Sequence, residues 1–376
     1  MASKKRGHGE GSIYQRKDGR WAASISLDGG KRKTFYGKTR REVQEKLHTA
    51  LNEQKQGILA TGPQQTVRQF LVYWLEDVHK PAVRLSTYVM YRTIVNKYLI
   101  LGLGHYQLQK LTPQHIQLFY ARCLKEGCSP NRVRAIHLVL HVAFEHAVRT
   151  NLMARNICNA VELPQPVRRE AQTLTKEQAQ KLLIVARGHK LEVLLIVAVT
   201  TGMRSGELRS LQWKDIDFET RSLQVRRSVT RIAGHGYREG KPKTAKSRRK
   251  IILPQFVLDA LKQHRVGQLE TKLKAGAAWK DHDLVFCNYY GTFIDTSTLH
   301  KQFNDLLQVA DLPPMRFHDL RHSAATILLG MGVHPKIVQE LLGHSNINMT
   351  LNTYSHVLPS MQQDAMDKLD EWFGGE

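Results

Sequence analysis

The chain has 376 residues, enough for two or three domains with a core in each. Lys and Arg number 56 against 33 Asp and Glu, a formal net charge of +23, and the basic residues cluster, as at Lys4-Lys5-Arg6, Lys31-Arg32-Lys33, Arg168-Arg169, Arg226-Arg227 and Lys246 to Lys250; such clustering favours a polyanionic partner, nucleic acid first. Four cysteines without a C-x-x-C pair argue against a zinc ribbon and demand no oxidising compartment, the basic N-terminus lacks the apolar core of a signal peptide, and the longest apolar run, Leu191 to Val199, is too short to cross a bilayer. The expectation is a soluble, cytoplasmic, DNA-associated protein.

Residues 1–11 are rich in Lys and Gly and read as an arm. Strands are expected at Ser12 to Arg16, Trp21 to Leu27 and Lys31 to Tyr36, with turns at Asp18-Gly19 and Asp28-Gly29-Gly30. A helix follows from Thr39, which forms a capping box with Glu42; Val43, Leu47, Ala50 and Leu51 make its apolar face. A three-stranded sheet on one helix, carrying Arg16, Lys17, Arg20, Lys31 and Lys33, is suited to lie in a DNA groove. The bland alternative is a small ββ(β)α domain that binds protein or nothing; the charge favours DNA.

Residues 57–65 read as a linker, and residues 64–162 as an all-helical domain. Thr66 caps a helix with Val67, Phe70, Leu71, Trp74 and Leu75 inward. Ser86 or Thr87 starts a second helix, running through Tyr91, Ile94, Val95 and Tyr98. Thr112-Pro113 starts a third and Ser129-Pro130 a fourth. Lys97, Arg132, Arg134, His137 and His141 are candidates to face phosphates, set against a merely solvated face.

Residues 163–172 form a basic linker before the segment 172–376. Thr175 with Gln178 is another capping box, and Leu191 to Thr200 is apolar all round, hence a buried helix. Thr201-Gly202-Met203-Arg204-Ser205-Gly206-Glu207-Leu208 follows. Arg204 leaves a buried helix in a Gly-flanked turn that frees its guanidinium to enter a cleft, with Glu207 as its buttress. Asp215 to Ser228 and Arg249 to Leu253 alternate as strands around Lys241-Pro242-Lys243-Thr244-Ala245-Lys246. Leu284 to Phe286 with Gly291 reads as a short strand and turn, and Leu299, Phe303, Leu306 and Leu307 as a helix.

The stretch from Phe317 to His356 organises the rest. It holds His318-Asp319-Leu320-Arg321, then Gly343-His344, then Tyr354, separated by helical spacings at Ala324/Ile327/Leu328 and Ile337/Val338/Leu341/Leu342. An Arg, two imidazoles and a phenol meeting at a point suit a phosphodiester: Arg grips non-bridging oxygens bidentately, His titrates near neutral pH and Tyr can be a covalent nucleophile. Each motif alone is commonplace; their order and spacing together carry the reading. After Tyr354 the tail keeps an apolar helical face through Met361, Met366, Leu369, Trp372 and Phe373.

The set Arg204, Lys243, His318-x-x-Arg321, His344 and Tyr354 resembles the catalytic pattern of the tyrosine recombinase, or phage integrase, family. The resemblance covers essentially the whole chain. It implies a multidomain α+β fold: an arm-type DNA-binding domain (1–60) of a small three-stranded sheet plus helix, an all-α core-binding domain (64–162), and a mixed, mainly-α catalytic domain (172–376) with a small antiparallel sheet. It implies a site-specific recombinase that cuts and rejoins DNA through a 3′-phosphotyrosine, with no metal and no cofactor. Tyr354 is then the nucleophile, Arg204 and Arg321 the phosphate clamp, His318 the base and His344 a phosphate donor. Lys243 fits the leaving-group acid best because Thr244 and a basic strand follow it; Lys241 and Lys246 stay open. Implied partners are double-stranded DNA at core-type and arm-type sites, a homotetramer docked through the C-terminal helix or a helix packed on its own domain, an excisionase and a DNA-bending factor. A Xer-like resolvase, a type IB topoisomerase and a catalytically silent DNA-binding regulator are the alternatives.

Overall fold

The computed structural model describes residues 11–26, 32–55, 64–167, 172–240, 248–343, 366–367 and 369–374. Lys31, Lys241, Lys243, Lys246, His344 and Tyr354 lie outside the described residues. The chain divides into two units, Met1–Arg168 and Arg169–Glu376.

In the first unit, alternation and turn chemistry build an antiparallel sheet in the order β1 (Ser12–Gln15), β2 (Trp21–Ser26), β3 (Arg32–Gly37), covered by helix α1 (Arg40–Lys55). Gly19 supplies the positive φ of the first turn, +80°. One face of the sheet packs Ala23 and Ile25 on Val43 and Leu47, with Ile13, Trp21 and Phe35 around them. The other face carries Tyr14, Ala22 and Tyr36 in one cross-strand row and Ser12, Ser24 and Thr34 in the next. Thr39 caps α1 by accepting from the Glu42 N–H at 3.2 Å, but the Glu42 carboxylate accepts from Lys38 N–H at 2.9 Å, so the expected box closes one residue early.

The helical part runs α2 (Val67–Tyr73), α3 (Lys80–Ala82), α4 (Leu85–Ile94), α5 (Ile100–Leu103), α6 (Pro113–Lys125) and α7 (Pro130–Arg149). Wide π-turns at Trp74–His79 and Val95–Leu99 join α2 to α3 and α4 to α5. Thr66 and Thr112 close full capping boxes and Ser129 accepts from Arg132 N–H, each with the expected apolar residues buried behind it. The second helix departs from expectation: α4 begins at Leu85 with Arg84 at its N-cap, and neither Ser86 nor Thr87 caps it. The chain after α7 is held against that helix, Asn131 Nδ2 donating to the Val167 carbonyl at 2.8 Å and Arg134 Nη1 to the Pro164 carbonyl at 3.2 Å.

The second unit contains α8 (Lys176–Val185), α9 (Glu192–Thr201), the short α10 (Ser205–Leu208), β4 (Ile216–Asp217), β5 (Ser222–Val225), β6 (Ser228–Ile232), β7 (Gly236–Gly240), β8 (Arg249–Ile252), α11 (Gln255–Ala275), α12 (Thr296–Val309), α13 (Asp319–Gly330) and α14 (Pro335–Leu342). The sheet order is β4-β5-β8, while among the described residues β6 and β7 pair with each other. Helix α9 is central: Leu194, Leu195, Val197 and Ala198 are buried in one core with Leu182, Leu258, Phe303 and Leu320. Two features differ from the sequence expectation. Helix α11, of 21 residues, is the longest described helix and has no counterpart in the sequence reading. Leu284 to Phe286 forms no strand: Leu284 makes an isolated bridge to Gln212, and Cys287, just beyond, makes one to Phe293.

Two glycines set the close packing that the site needs. Gly202 ends α9 in the left-handed region at φ +60°, and a Cβ there would sit 2.2 Å from Leu342 Cδ2 on α14. Gly206 lets α10 approach β6, where a Cβ would meet Ser228 Oγ at 2.5 Å and the Val229 carbonyl at 2.7 Å. Gly202→Ala is therefore expected to destabilise the second unit by roughly 2–4 kcal/mol, combining backbone strain and overpacking, read from thermal unfolding.

Residues 366–367 and 369–373 are helical, with Met366, Leu369, Trp372 and Phe373 exposed. Among the described residues, no helix is long and apolar enough to cross a membrane.

Candidate active site

The turn after α9 aims Arg204 into an open cleft of about 920 Å³, lined also by Arg209, Ser228, Thr230, Arg231, Thr296 and His318. Arg204 stands at the N-cap of α10. Its N–H donates to Glu207 Oε2 at 3.1 Å and its Nη1 to Glu207 Oε1 at 2.8 Å, while 36% of its side chain stays accessible. Glu207 is thus the buttress expected, and it is almost fully buried. Burial alone would raise its carboxyl pKa; the Arg249 and Arg204 guanidiniums override that and hold it below the usual range.

Arg249, at the start of β8, is the second partner of that carboxylate, with Nη2 at 3.1 Å from Glu207 Oε2. Its Nε donates to the Leu341 carbonyl at 2.5 Å. The sequence reading assigns Arg249 only to a strand. Glu207 and Leu341 lie 42 and 92 residues away, and no local pattern reports such pairings.

Arg321 leaves the first turn of α13 and is buried, 3% exposed. Nη1 donates to the Gly202 carbonyl at 2.8 Å and Nη2 to the Leu342 carbonyl at 2.6 Å. These bonds tie the Arg204 turn to the end of α14, two residues before His344 in the sequence. Burial first, and the Arg204 and Arg249 charges next, push the Arg321 pKa down to about 9. Arg204 and Arg249 pair with the Glu207 carboxylate and the Arg321 charge acts on the same group from nearby, so the cluster carries an excess of positive charge.

His318 occupies the N-cap position of α13 and lines the same cleft as Arg204. Burial first, then the neighbouring His322, Arg321 and Arg204, lowers its pKa and so favours the neutral ring. His322 lies edge-on to it, ring centroids 5.6 Å apart. The structure therefore brings together Arg204, Glu207, His318 and Arg321, four of the seven expected site residues. Lys243, His344 and Tyr354 are the three outside the described residues.

Arg209 is a further cleft residue that sequence reasoning passes over. It is 3% exposed, donates from Nη1 to the Ile294 carbonyl at 2.9 Å and stands 5.8 Å from the Tyr237 ring centre. Its position five residues after Arg204 follows no periodicity that would mark it.

The candidate DNA contacts are spread over the first unit. Arg16 stacks on Tyr36 at 5.2 Å on the open sheet face. Arg20 pairs with Asp18 at 3.0 Å in the turn, and Lys17 is exposed beside it. Lys33 stands in register with buried Ile25 and 5.8 Å from the Phe35 ring, so it belongs to the face that packs on α1. Arg32, paired with Ser26, takes the open side. Lys97 and Arg132 are exposed; Arg134 is partly buried, its Nη1 engaged by Pro164. His137 and His141 bond to Tyr120 and Asn159 within the fold.

The sequence model of the phage integrase family matches residues 172–361, and that of the phage integrase N-terminal SAM-like domain matches residues 66–124. A tyrosine recombinase XerC-like protein of Caldanaerobacter subterraneus subsp. tengcongensis is 34% identical over 363 residues, 91% of this chain and 92% of the relative. Among solved structures, the Tn1549 transposon integrase in complex with transposon right end DNA is 23% identical with a TM-score of 0.69, covering 81% of this chain and 99% of that one. A lambda integrase tetramer bound to a Holliday junction is 18% identical with a TM-score of 0.57, covering 93% and 96%. These two share the fold of this chain, small antiparallel sheets within a helix-rich body. The chain belongs to the phage integrase family, and it is a tyrosine-type site-specific recombinase that cuts and rejoins DNA.

Proposed function

We propose that Tyr354 attacks the scissile phosphate, forming a 3′-phosphotyrosine and releasing a 5′-hydroxyl. Arg204 and Arg321 stabilise the charge that develops on the non-bridging oxygens. Lys243 protonates the leaving 5′-oxygen, with Lys241 and Lys246 as the other lysines of that segment. His318 accepts the Tyr354 proton and His344 hydrogen-bonds the phosphate. The observation that carries this reading is the convergence of Arg204, Arg321 and His318, with one buried carboxylate set against three guanidiniums. Such a cluster has room for one more anion, and a phosphodiester supplies it. The phosphotyrosine retains the energy of the broken bond, so rejoining needs no nucleotide.

A duplex nicked beside the cleavage point tests the reading. The released end diffuses away, and the protein is expected to remain covalently joined to the DNA. Relaxation of supercoiled plasmid lacking any specific site would instead favour a topoisomerase. The pH profile gives a second test. Because the His318 pKa is depressed, its neutral form persists as pH falls, and the acid limb of cleavage is expected below about pH 6.5, the ordinary imidazole value. An acid limb at or above that value would contradict His318 as the base.

We further propose three functional modules, residues 1–60, 64–162 and 172–376, with the first reading arm-type sites and the second clamping core-type sites on double-stranded DNA. The open face of the N-terminal sheet supports this: it presents Tyr14, Tyr36, Ser and Thr hydroxyls, Arg16 and Arg32, a set suited to a DNA groove. Arg16→Ala combined with Tyr36→Ala is expected to weaken binding to the second class of site roughly tenfold while core cleavage is unchanged, measured by footprinting. An added N-terminal module also favours integration and excision of a mobile element over housekeeping resolution. The exposed Met366, Leu369, Trp372 and Phe373 support docking of the tail on a neighbouring protomer, in a tetramer like that of lambda integrase on a Holliday junction. An excisionase and a DNA-bending factor enter this proposal through family resemblance alone.

A further inference from the structure

We infer that Arg249 is a positioning residue for strand cleavage, acting on Arg204 through Glu207 and on the last turn of α14 through the Leu341 carbonyl. This rests on the reading that Arg204 grips the scissile phosphate. Arg204 alone is weakly constrained: it is a long side chain, more than a third accessible, at the mouth of an open cleft. What fixes it is the Glu207 carboxylate, which meets both its N–H and its Nη1. Glu207 must itself be fixed, and Arg249 does so with Nη2 at 3.1 Å.

The same guanidinium reaches across to α14. Arg249 Nε meets the Leu341 carbonyl and Arg321 Nη2 the Leu342 carbonyl. Consecutive carbonyls at the C-terminal end of one helix, where the backbone dipole is negative, are thus gripped by two buried cations. The Arg249 guanidinium is engaged by Glu207 and the Leu341 carbonyl, and its side chain is only 6% exposed. Its assigned part is to set where the Arg204 guanidinium and the last turn of α14 stand. A misplacement of about 1 Å in such a residue can slow a reaction by roughly 100-fold.

The test uses the full-length protein and a nicked duplex that it selects by covalent capture from a randomised library. Arg249→Met is expected to slow adduct formation roughly 100-fold at saturating DNA, with DNA affinity held within about threefold. Arg249→Met leaves the buried Glu207 carboxylate with one partner fewer, so the fold can weaken. Arg249→Met with Glu207→Gln removes that charge and is expected to restore the thermal midpoint without restoring the rate. Combined with Arg204→Lys, Arg249→Met is expected to lose less than the product of the two single losses, because part of its effect passes through that guanidinium. A wild-type rate in the Arg249→Met/Glu207→Gln protein, or losses that multiply between Arg249→Met and Arg204→Lys, would overturn the inference. A wild-type rate for Arg204→Lys alone would overturn the phosphate reading beneath it.

Discussion

Tyr354→Phe is expected to bind its DNA site with unchanged affinity and to form no covalent adduct. The substitution keeps the ring and removes only the oxygen proposed to bond to phosphorus. Loss of a nucleophile that acts with its base as a unit removes at least about 10⁴-fold of the rate. The other groups still hold the phosphate, so binding survives. Denaturing gel electrophoresis of protein mixed with nicked duplex gives the comparison directly. An adduct at wild-type level would assign the nucleophile to another residue.

Glu207→Ala has the largest expected effect on the fold. It leaves Arg204, Arg249 and Arg321 near one another without the carboxylate that two of them meet at 2.8 and 3.1 Å. Breaking a buried pair by removing one partner costs about 3–5 kcal/mol, which for a unit of this size lowers the thermal midpoint by on the order of 10 °C. Cleavage falls with it, because the Arg204 backbone and guanidinium lose a shared anchor. The pH dependence has a definite sign. The folded carboxyl lies below its unfolded value of about 4.3, so its contribution is present above that pH and is lost as pH falls through the folded value. Replacement by Ala removes that acid-dependent part. A midpoint within about 1–2 °C of wild type would show that the three cations are screened some other way.

The pairing of Arg204 with Glu207 is legible because it is local. T-G-x-R-x-G-E-L contains its own geometry: Gly202 ends the buried helix, Arg204 follows in the turn and Glu207 faces back at a spacing of three. Capping signals read equally well at Thr66, Thr112, Ser129 and Thr175, where a short side chain meets an N–H three residues on. Helix α11 is not legible for the opposite reasons. Its N-cap is Pro254, with no side-chain cap, and only Val257, Leu258 and Leu261 are buried while Phe256, Val266, Leu269 and Leu273 are exposed. Its apolar residues do not trace one face. It is held instead by distant partners, such as the bond from Trp213 Nε1 to Gln268. Arg249 escapes for the same cause: it contacts Glu207 and Leu341, far away in sequence. The face carrying Lys33 depends on strand register, where one residue decides which side a side chain takes.

The most direct measurement is to digest the trapped wild-type adduct with nuclease and protease and to locate the nucleotide on the peptide by mass spectrometry. The account predicts a 3′-linked nucleotide on the phenolic oxygen of Tyr354, and none on the corresponding peptide of the Tyr354→Phe protein. A nucleotide on any other side chain, or one joined through its 5′ end, would contradict it.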